Sequence, residues 1–421
     1  MKPKITALGI ISVFLLSSAV SCGDDTIIRN QQEQTEISFS WWGNDTRHEY
    51  TIKSVEEFEK LHPDIKVKVN YSEWSGYESR VHVQMASNNE SDVMQINFNW
   101  LGEYSPDGNG YYDINKLTDI VDLSEFPEDI LKYGTVNGKL NGVPIAMNCM
   151  TVYINKTIYE QYGLDVPKTW DDFFKAAKVM SKDEIYPLSG AKKQLWLFCI
   201  SYVEQKTGKK FITEDNRFGF DEEDIDSMMD IYCRLVEEKV VPQVEYFDRL
   251  NLNDGKYAGT VAWVSDAINY CGAAIDNGYE YVVADYTAID PEKSGEGWTA
   301  KPATLYAVSS NTEHPKEAAL LLDYLLNSRE AAVLQGVEKG IPLSEYARNA
   351  LKEEGLLTGL QYEASQLMES NTRISPMDPF VENSDTYDAF FDACNRVMFN
   401  ITDRDKAVSD LYKFLKKLYS S

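Results

Sequence analysis

The sequence predicts an α/β fold that is divided between two domains. Strand and helix patterns alternate from residue 36 to residue 96, and the same alternation returns later in the chain. Alternation of this kind is typical of a parallel sheet whose strands are connected through helices. The chain has 421 residues, which is more than one ordinary hydrophobic core accommodates, so two domains are expected.

The first three strands follow from alternation of apolar and polar residues. Residues 36–41 alternate, and residues 65–71 alternate again with Ile65, Val67, Val69 and Tyr71 on one face. Residues 92–96 complete the set. In parallel sheets ligands bind at the carboxyl ends of the strands. This rule indicates two loops as candidate sites, residues 42–47 and residues 97–104.

Helices are predicted between these strands. The first lies near residues 50–61, with Ile52, Val55, Phe58 and Leu61 on one face and Asn44 or Asp45 as a possible cap. The second lies near residues 76–88. Gly43 places a turn before the first helix.

Later segments show the same alternation of strand and helix patterns. Thr169 and Asp172 have the spacing of a capping box, and Pro315 occupies a typical first helical position. Residues 261–264 and 305–308 are predicted strands, and residues 403–418 form an amphipathic terminal helix. The sequence contains no internal repeat and no Pro/Gly-rich linker, so domains would be joined by more than one crossing segment.

Composition excludes some functions. The chain has 67 acidic and 41 basic side chains and a formal net charge of −26, which disfavours binding to nucleic acid. It also contains 26 Tyr, 17 Phe and 8 Trp. Tyr and Trp combine a flat apolar face with a polar edge, which suits stacking on sugar rings, although most of them are expected in the core.

The N-terminus has the pattern of a targeting segment. Lys2 and Lys4 precede an apolar run at residues 5–16, and small residues then lead to Cys22. Residues 17–22 resemble a bacterial lipobox, with Ala19 where Leu is commoner. We expect a lipoprotein signal peptide at residues 1–21, lipidation of Cys22 and a flexible tether at residues 22–35. The alternative is a secretory signal cut near Ala19, which leaves Cys22 free.

The remaining cysteines do not form a recognisable site. Their number is odd and their spacing wide, so buried free thiols are expected, with one disulfide left open; they are Cys149, Cys199, Cys233, Cys271 and Cys394. The four histidines do not form an HExxH pattern, and the GxSxG and phosphate-loop motifs are absent from the sequence. We therefore expect neither a metal, nor a cofactor, nor catalytic residues.

Several segments resemble the family 1 extracellular solute-binding proteins, the maltose-binding-protein-like receptors of sugar importers. Residues 138–144, 152–156 and 162–173 are similar to the signature stretch of that family. Ser40-Trp-Trp-Gly43 is similar to the opening of its carbohydrate-binding members, and residues 314–319 and 339–344 match two more family segments. The similar segments follow in family order from about Ile37 to about Ala347.

The resemblance implies a two-lobed, periplasmic-binding-protein-like (type II) fold with a ligand cleft between the lobes. We expect an N-lobe of residues 36–143 and 303–338 and a C-lobe of residues 144–302 and 339–421. We expect a monomer that is exported and paired with an ABC permease. With the lipobox-like segment, it would be held by lipid at the outer face of the bacterial cell membrane, or on the periplasmic side in a host with two membranes. Its ligand would be a carbohydrate, and an oligosaccharide is expected.

A sugar requires flat aromatics for its C–H faces and planar polar groups for its hydroxyls, because an unpaired buried polar group costs about 1–3 kcal/mol. The two strand-end loops offer such groups. The first loop contains Trp42, Asn44, Asp45 and Arg47, and the second contains Asn97, Asn99 and Trp100. The alternative for the first loop is an exposed turn with a helix cap. The resemblance implies that the second loop stacks an aromatic on the sugar, here Trp100.

Further candidates come from the C-terminal side. The resemblance places a polar cleft residue at Asn148 and a stacking residue at Trp263, followed by Asp266. Asn148 could instead be a hinge residue bonded to backbone. Trp196 and Tyr77 are weaker candidates, since either could be core, and Lys301 either bonds a hydroxyl or lies in a solvated turn.

Two other interpretations stay open. The same fold could bind a polyamine or a polyol phosphate, although Arg47 and Lys301 are the cations identified as candidates for a phosphate. A surface glycosidase would need two carboxylates, which any chain this acidic can supply.

Overall fold

A single branched sheet runs through the protein. The computed structural model describes residues 34–213 and 217–419, so the predicted signal peptide, Cys22 and nearly all of the predicted tether lie outside the described residues. The strands are β1 (Thr35–Trp42), β2 (Ile65–Ser72), β3 (Val93–Ile96), β4 (Thr135–Val136), β5 (Lys139–Leu140), β6 (Val143–Asn155), β7 (Gly259–Trp263), β8 (Tyr281–Ala284), β9 (Thr299–Val308) and β10 (Ser375–Pro376). The sheet has the order β2-β1-β3-β9-β6-β7, with β8 also paired to β6 and β10 to β9, while β4 and β5 form a hairpin.

Helices cover the sheet. They are α1 (Asp45–Leu61), α2 (Trp74–Ala86), α3 (Trp100–Tyr104), α4 (Glu128–Leu131), α5 (Lys156–Gln161), α6 (Trp170–Met180), α7 (Lys192–Thr207), α8 (Glu222–Glu237), α9 (Ala267–Asp276), α10 (Pro315–Asn327), α11 (Arg329–Gln335), α12 (Glu345–Glu353), α13 (Leu360–Ser370), α14 (Ser384–Met398) and α15 (Arg404–Leu418). None of the helices in the described ranges is both long and apolar enough to span a membrane.

The N-terminal part has the predicted parallel arrangement. β1 pairs in parallel with β2 and with β3. Asn44 caps α1 by accepting a hydrogen bond from the backbone N–H of Arg47, so the predicted cap is confirmed although the helix begins earlier than expected. The predicted buried face of α1 is partly wrong. Val55 and Phe58 are buried as predicted, Ile52 is partly buried and Tyr50 is buried as well, whereas Leu61 is 63% exposed at the end of the helix.

Other local predictions hold. Thr169 and Asp172 form the capping box of α6, and Pro315 is the first residue of α10. β7 ends at Trp263, one residue before the predicted end, because Val264 starts a 3₁₀ turn. The terminal helix begins after its cap Asp403. The five cysteines after residue 22 are buried free thiols in this structure.

Two large hydrophobic cores define the two lobes, which confirms the predicted fold class. The larger core is built from β6, β7 and helices such as α6, α7, α8 and α14. The smaller core lies between β1, β2, α1 and α10. β6 pairs with β9 through its first half and with β7 and β8 through its second half, so it belongs to both lobes.

The packing of the hydrophobic cores indicates where the chain crosses from one lobe to the other. Ile145 and Leu343, both expected in the C-lobe, contribute to the smaller core. Helix α12 packs against α11, and α13 packs against α9 and β8 of the other lobe. We therefore propose that the last crossing into the C-lobe lies between α12 and α13 rather than at residue 339.

Candidate functional site

The two strands that connect the lobes bring several predicted residues to one face. Asn148 on β6 lies opposite Lys301 on β9, and Met150 lies opposite Trp263 on β7. Successive side chains of a strand point to opposite faces, and directly opposed residues share a face. Asn148, Met150, Lys301 and Trp263 are therefore neighbours on one surface, together with Thr299, two residues before Lys301 on β9.

A cavity of about 880 Å³ lies on this surface. Met150 and Thr299 contribute from the crossing strands. The smaller lobe supplies groups from the loop after β3, from α3, and from α4 and the segment after it. The larger lobe supplies groups from α7, the loop after it and the segment around β10. The lining includes Phe98, Leu101, Tyr133, Val136, Leu197, Ile200, Ser201, Glu204, Lys210, Phe211, Trp298, Asp378 and Val381. A volume of this size accommodates a small organic ligand and is closed by both lobes together.

Charged groups next to the cavity form a buried network. Lys301 is 7% exposed and forms an ion pair with Glu382, which also accepts from Lys193 at 3.3 Å. Burial would raise the pKa of Glu382, but Lys301 and Lys193 outweigh it and hold that pKa below its usual value. Burial lowers the pKa of Lys301. Glu382 follows Val381 of the cavity lining, so the network borders the cavity.

Lys301 is therefore not in a solvated turn, the alternative considered from the sequence. It lies within β9, and its Nζ is 5.0 Å from the centroid of the Trp263 ring. Trp263 is 9% exposed and belongs to the larger core. Asn148 donates from Nδ2 to Ser265 Oγ at 2.9 Å and accepts from the Ser265 N–H at 3.2 Å. Its amide thus ties β6 to the turn after β7, and one of the two hydrogen bonds is to backbone.

The first strand-end loop faces the other lobe through Arg47. Arg47 donates from Nη2 to the carbonyl of Glu338 at 2.7 Å. Burial raises the pKa of Asp266, which follows β7, and Arg47 opposes that rise. Arg47 and Asp266 are therefore close enough to interact across the lobes. Asn44 and Asp45 are exposed, and Asn44 uses its side-chain oxygen as the helix cap.

The aromatic residues of the N-terminal lobe form two layers. Trp100 and Tyr77 are fully buried and stack with ring centroids 6.0 Å apart. The Tyr77 hydroxyl donates to the carbonyl of Gln95 at 2.7 Å. Trp42 is half-buried and Trp74 is 36% exposed, and both pack on Trp100. The structure thus places Trp100 and Tyr77 beneath Trp42 and Trp74, away from the cavity lining.

Trp196, Asn97 and Asn99 are also not part of the cavity lining. Trp196 is fully buried, packs against Phe390 and donates its indole N–H to the carbonyl of Val381 at 3.0 Å. Asn97 accepts from the N–H of Phe98 at 2.8 Å, which shapes the loop after β3. The Asn99 side-chain oxygen is buried without a hydrogen-bond partner.

Sequence reasoning missed several site residues. Trp74 follows β2, so the strand-end rule applied to that strand would have identified it. Glu382 and Lys193 meet Lys301 across long sequence separations and leave no local signal. The cavity lining is mostly apolar and looks like ordinary core in the sequence. In the described ranges no cluster of His, Cys, Asp and Glu side chains has the arrangement of a metal site.

Fold and site together define a two-lobed α/β protein with a cavity at the strands that join its lobes. The profile of the family described as "Bacterial extracellular solute-binding protein" matches residues 44–332, and the chain belongs to that family.

Relatives agree with this assignment. The multiple sugar-binding protein of Streptococcus mutans is 26% identical over 197 residues, which cover 46% of this chain and 44% of the relative. The melibiose/raffinose/stachyose-binding protein of Bacillus subtilis is 28% identical over 173 residues, covering 39% of this chain and 38% of the relative. The matched segments thus span less than half of these curated relatives.

A solved structure matches over more of the chain. A periplasmic oligogalacturonide-binding protein from Yersinia enterocolitica, solved with saturated digalacturonic acid, is 30% identical and has a TM-score of 0.83. The match covers 92% of this chain and 99% of that protein. A periplasmic solute-binding protein from Pectobacterium atrosepticum has the same identity and coverage and a TM-score of 0.86.

Proposed function

We propose that this protein is an exported receptor that binds an oligosaccharide and delivers it to the permease of an ABC importer. The observation that carries the proposal is the cavity of about 880 Å³, which both lobes line at the crossing strands. Pockets for small organic ligands have this size, with mainly apolar walls and a few polar groups that fix orientation.

The lining has the chemistry that a sugar needs. Tyr133 is partly exposed and Phe98 is 9% exposed, so these two rings can cover the C–H faces of a sugar, whereas Phe211 and Trp298 are 1% exposed and belong to the larger core. Ser201, Thr299 and the Glu204–Lys210 ion pair, with an N···O distance of 2.7 Å, offer donors and acceptors for hydroxyls. The sugar-binding relatives support the same ligand class for this chain.

Binding would close the lobes. A ligand that contacts both lobes stabilises the closed state by its higher affinity for that state. β6 and β9 run through both lobes and are the elements on which a hinge can act. The closed form would be the one that the permease recognises, with the receptor acting as a monomer.

We further propose that the mature protein is attached to the outer face of the cell membrane through lipid on Cys22. The cysteine and the signal that precedes it lie outside the described residues, so the proposal rests on the sequence pattern. Replacing Cys22 by Ala should release the folded protein from the membrane fraction. Retention in membranes after a high-salt wash would contradict lipid anchoring.

A ligand panel tests the main proposal. Purified mature protein is mixed with neutral and acidic oligosaccharides, with spermidine and with glycerol 3-phosphate, and melting temperature and radius of gyration are measured. We expect an oligosaccharide to raise the melting temperature and reduce the radius. Stabilisation by spermidine or glycerol 3-phosphate alone would contradict carbohydrate binding. Cleavage of an oligosaccharide during incubation would indicate a glycosidase instead.

A further inference from the structure

A second charged cluster lies at the other end of the crossing strands, formed by Lys339 and Arg47. Lys339 is 2% exposed. Its Nζ donates to the hydroxyl of Tyr306 at 2.6 Å and lies 5.0 Å and 5.7 Å from the ring centroids of Tyr306 and Tyr50. We call Arg47 and Lys339 the cation pair.

The cation pair lacks a counter-ion in the described part of the chain. Neither residue forms a salt bridge there, although the chain carries a net charge of −26 and many of its Lys and Arg side chains are ion-paired. The Nε of Arg47 and the hydroxyl of Tyr50 are buried without hydrogen-bond partners. Lys301, by contrast, has Glu382. Burying a charge without a partner is expensive, so such a pair is poised to take an anion.

The acidic groups around the cation pair do not fill this role. Glu338 contributes its carbonyl to Arg47, and its carboxylate acts on Tyr50 without pairing with either cation. Asp266 faces Arg47 from the other lobe and remains beyond ion-pair distance of it. An anion that binds here would therefore come from outside the described chain.

The position of the cation pair links it to the proposed ligand site. Gly340 follows Lys339 and lies so close to β6 that an added Cβ would come within 2.6 Å of Ala146 Cβ. Ala146 precedes Asn148 by two residues on the same strand, and Met150 of the cavity lining follows. The cation pair lies outside the cavity lining, and along β6 the approach of Gly340 to Ala146, the Asn148–Lys301 pair and Met150 of the cavity follow one another in that order. This order suits an extended ligand.

We propose that Arg47 and Lys339 bind a carboxylate of the ligand, so that the natural ligand is an acidic oligosaccharide that contains a uronate unit. This inference rests on the proposed function as a carbohydrate receptor. A guanidinium is the side chain best suited to a planar carboxylate, and a buried ammonium strengthens the interaction by excluding water. The cation pair then selects acidic sugars over neutral ones of the same shape.

Calorimetry with three matched disaccharides tests the inference: digalacturonic acid, its dimethyl ester and the neutral galactose disaccharide of the same linkage. We expect the acid to bind and the other two to bind at least tenfold more weakly. Equal affinity for the acid and the neutral sugar would overturn the inference and leave the proposed function intact. If other oligosaccharides and these three all fail to bind, the proposed function itself fails.

Variants test whether the preference for the acidic sugar depends on the cation pair. Lys339→Met removes the charge and keeps an apolar stem of similar length, and it should weaken binding of the acid roughly ten- to hundredfold. Lys60→Met removes the same charge from the exposed end of α1 and should leave the affinity unchanged. Arg47→Gln gives the same test if the Lys339 variant does not fold. An unchanged affinity in both variants, or competition by inorganic phosphate at equal concentration, would contradict a site for a sugar carboxylate.

Discussion

The ammonium group of Lys301 lies 5.0 Å from the centroid of the Trp263 ring, on the face of the crossing strands that leads to the cavity. A cation over an indole ring is attracted to it, and this attraction increases when water is excluded. Lys301 comes from β9 and Trp263 from β7, with β6 between them. The contact therefore joins β7 of the larger lobe to β9, the strand through which the chain returns to the smaller lobe.

Trp263→Ala should affect both binding and stability. Loss of the ring should weaken ligand binding roughly ten- to hundredfold through lost apolar contact. Because Trp263 is 9% exposed and packs in the larger core, the unfolding free energy should also fall, by about 3 kcal/mol. Calorimetry and denaturant unfolding measure the two effects. Trp263→Phe retains an aromatic face and should recover part of both, and wild-type affinity in the Ala variant would exclude Trp263 from the site.

Glu382→Gln should destabilise the protein without ligand. The substitution leaves Lys301 buried without a carboxylate partner, and breaking a buried ion pair costs about 3 kcal/mol. Denaturant unfolding at pH 7 measures the change. Glu57→Gln, which removes an exposed carboxylate paired with Lys60, is the matched control and should change stability little. Equal stability of the Glu382 variant and the wild type would show that the network is not structurally required.

The same variant predicts a change in the pH dependence of stability. The pKa of Glu382 is lower in the folded protein than its usual value, so the ionised group stabilises the fold at neutral pH and this contribution is lost as pH falls below about 4.3. The lowered pKa of Lys301 acts at alkaline pH and leaves the acid limb unaffected. The unfolding free energy of the wild type should therefore fall more steeply below that pH, and the Glu382→Gln variant should lose part of this pH dependence. If the stability of the wild type and of the Glu382→Gln variant fell equally at acid pH, Glu382 would not be the group responsible.

Local chemistry explains what could be predicted from the sequence. The capping box of α6 needs only Thr169 and Asp172, three residues apart, and the parallel β1, β2 and β3 follow from alternation within each strand. The same local patterns cannot tell a buried ring from an exposed one. Trp100 was expected at the ligand, but its neighbours Trp42 and Trp74 cover it.

The charged groups of the site depend on contacts between distant segments. Lys301 meets Glu382 across 81 residues of sequence, and Arg47 meets the segment of Glu338 and Lys339 across 291 residues, so both contacts exist only in the folded chain. No local spacing of residues in the sequence predicts these contacts. Arg47 and Lys301 were identified as candidate cations, but Lys339 was not, since it was noted only as the first residue of a segment that resembles the family. Its burial follows from the close approach of Gly340 to Ala146.

Binding of an acidic sugar should be accompanied by proton uptake. Burial, reinforced by Arg47, holds the pKa of Lys339 well below its usual value. A carboxylate that binds beside Lys339 favours the charged ammonium and raises that pKa again, so the complex holds more protons than the free protein. Affinity for the acid should therefore increase as pH falls toward neutrality from the alkaline side. Calorimetry in two buffers with different ionisation enthalpies at one pH measures the number of protons taken up.

Other groups near Lys339 could also contribute protons, and variants separate them. Asp266, whose pKa burial raises, and Glu338 face Arg47 and Tyr50, and burial lowers the pKa of His48. Lys339→Met should abolish most of the uptake, whereas Asp266→Asn should leave the Lys339 part in place. Uptake that persists in the Lys339 variant and disappears in the Asp266 variant would assign the proton to the carboxyl group. Digalacturonic acid binding with no proton uptake in the wild type would contradict a rise in the pKa of Lys339 on binding.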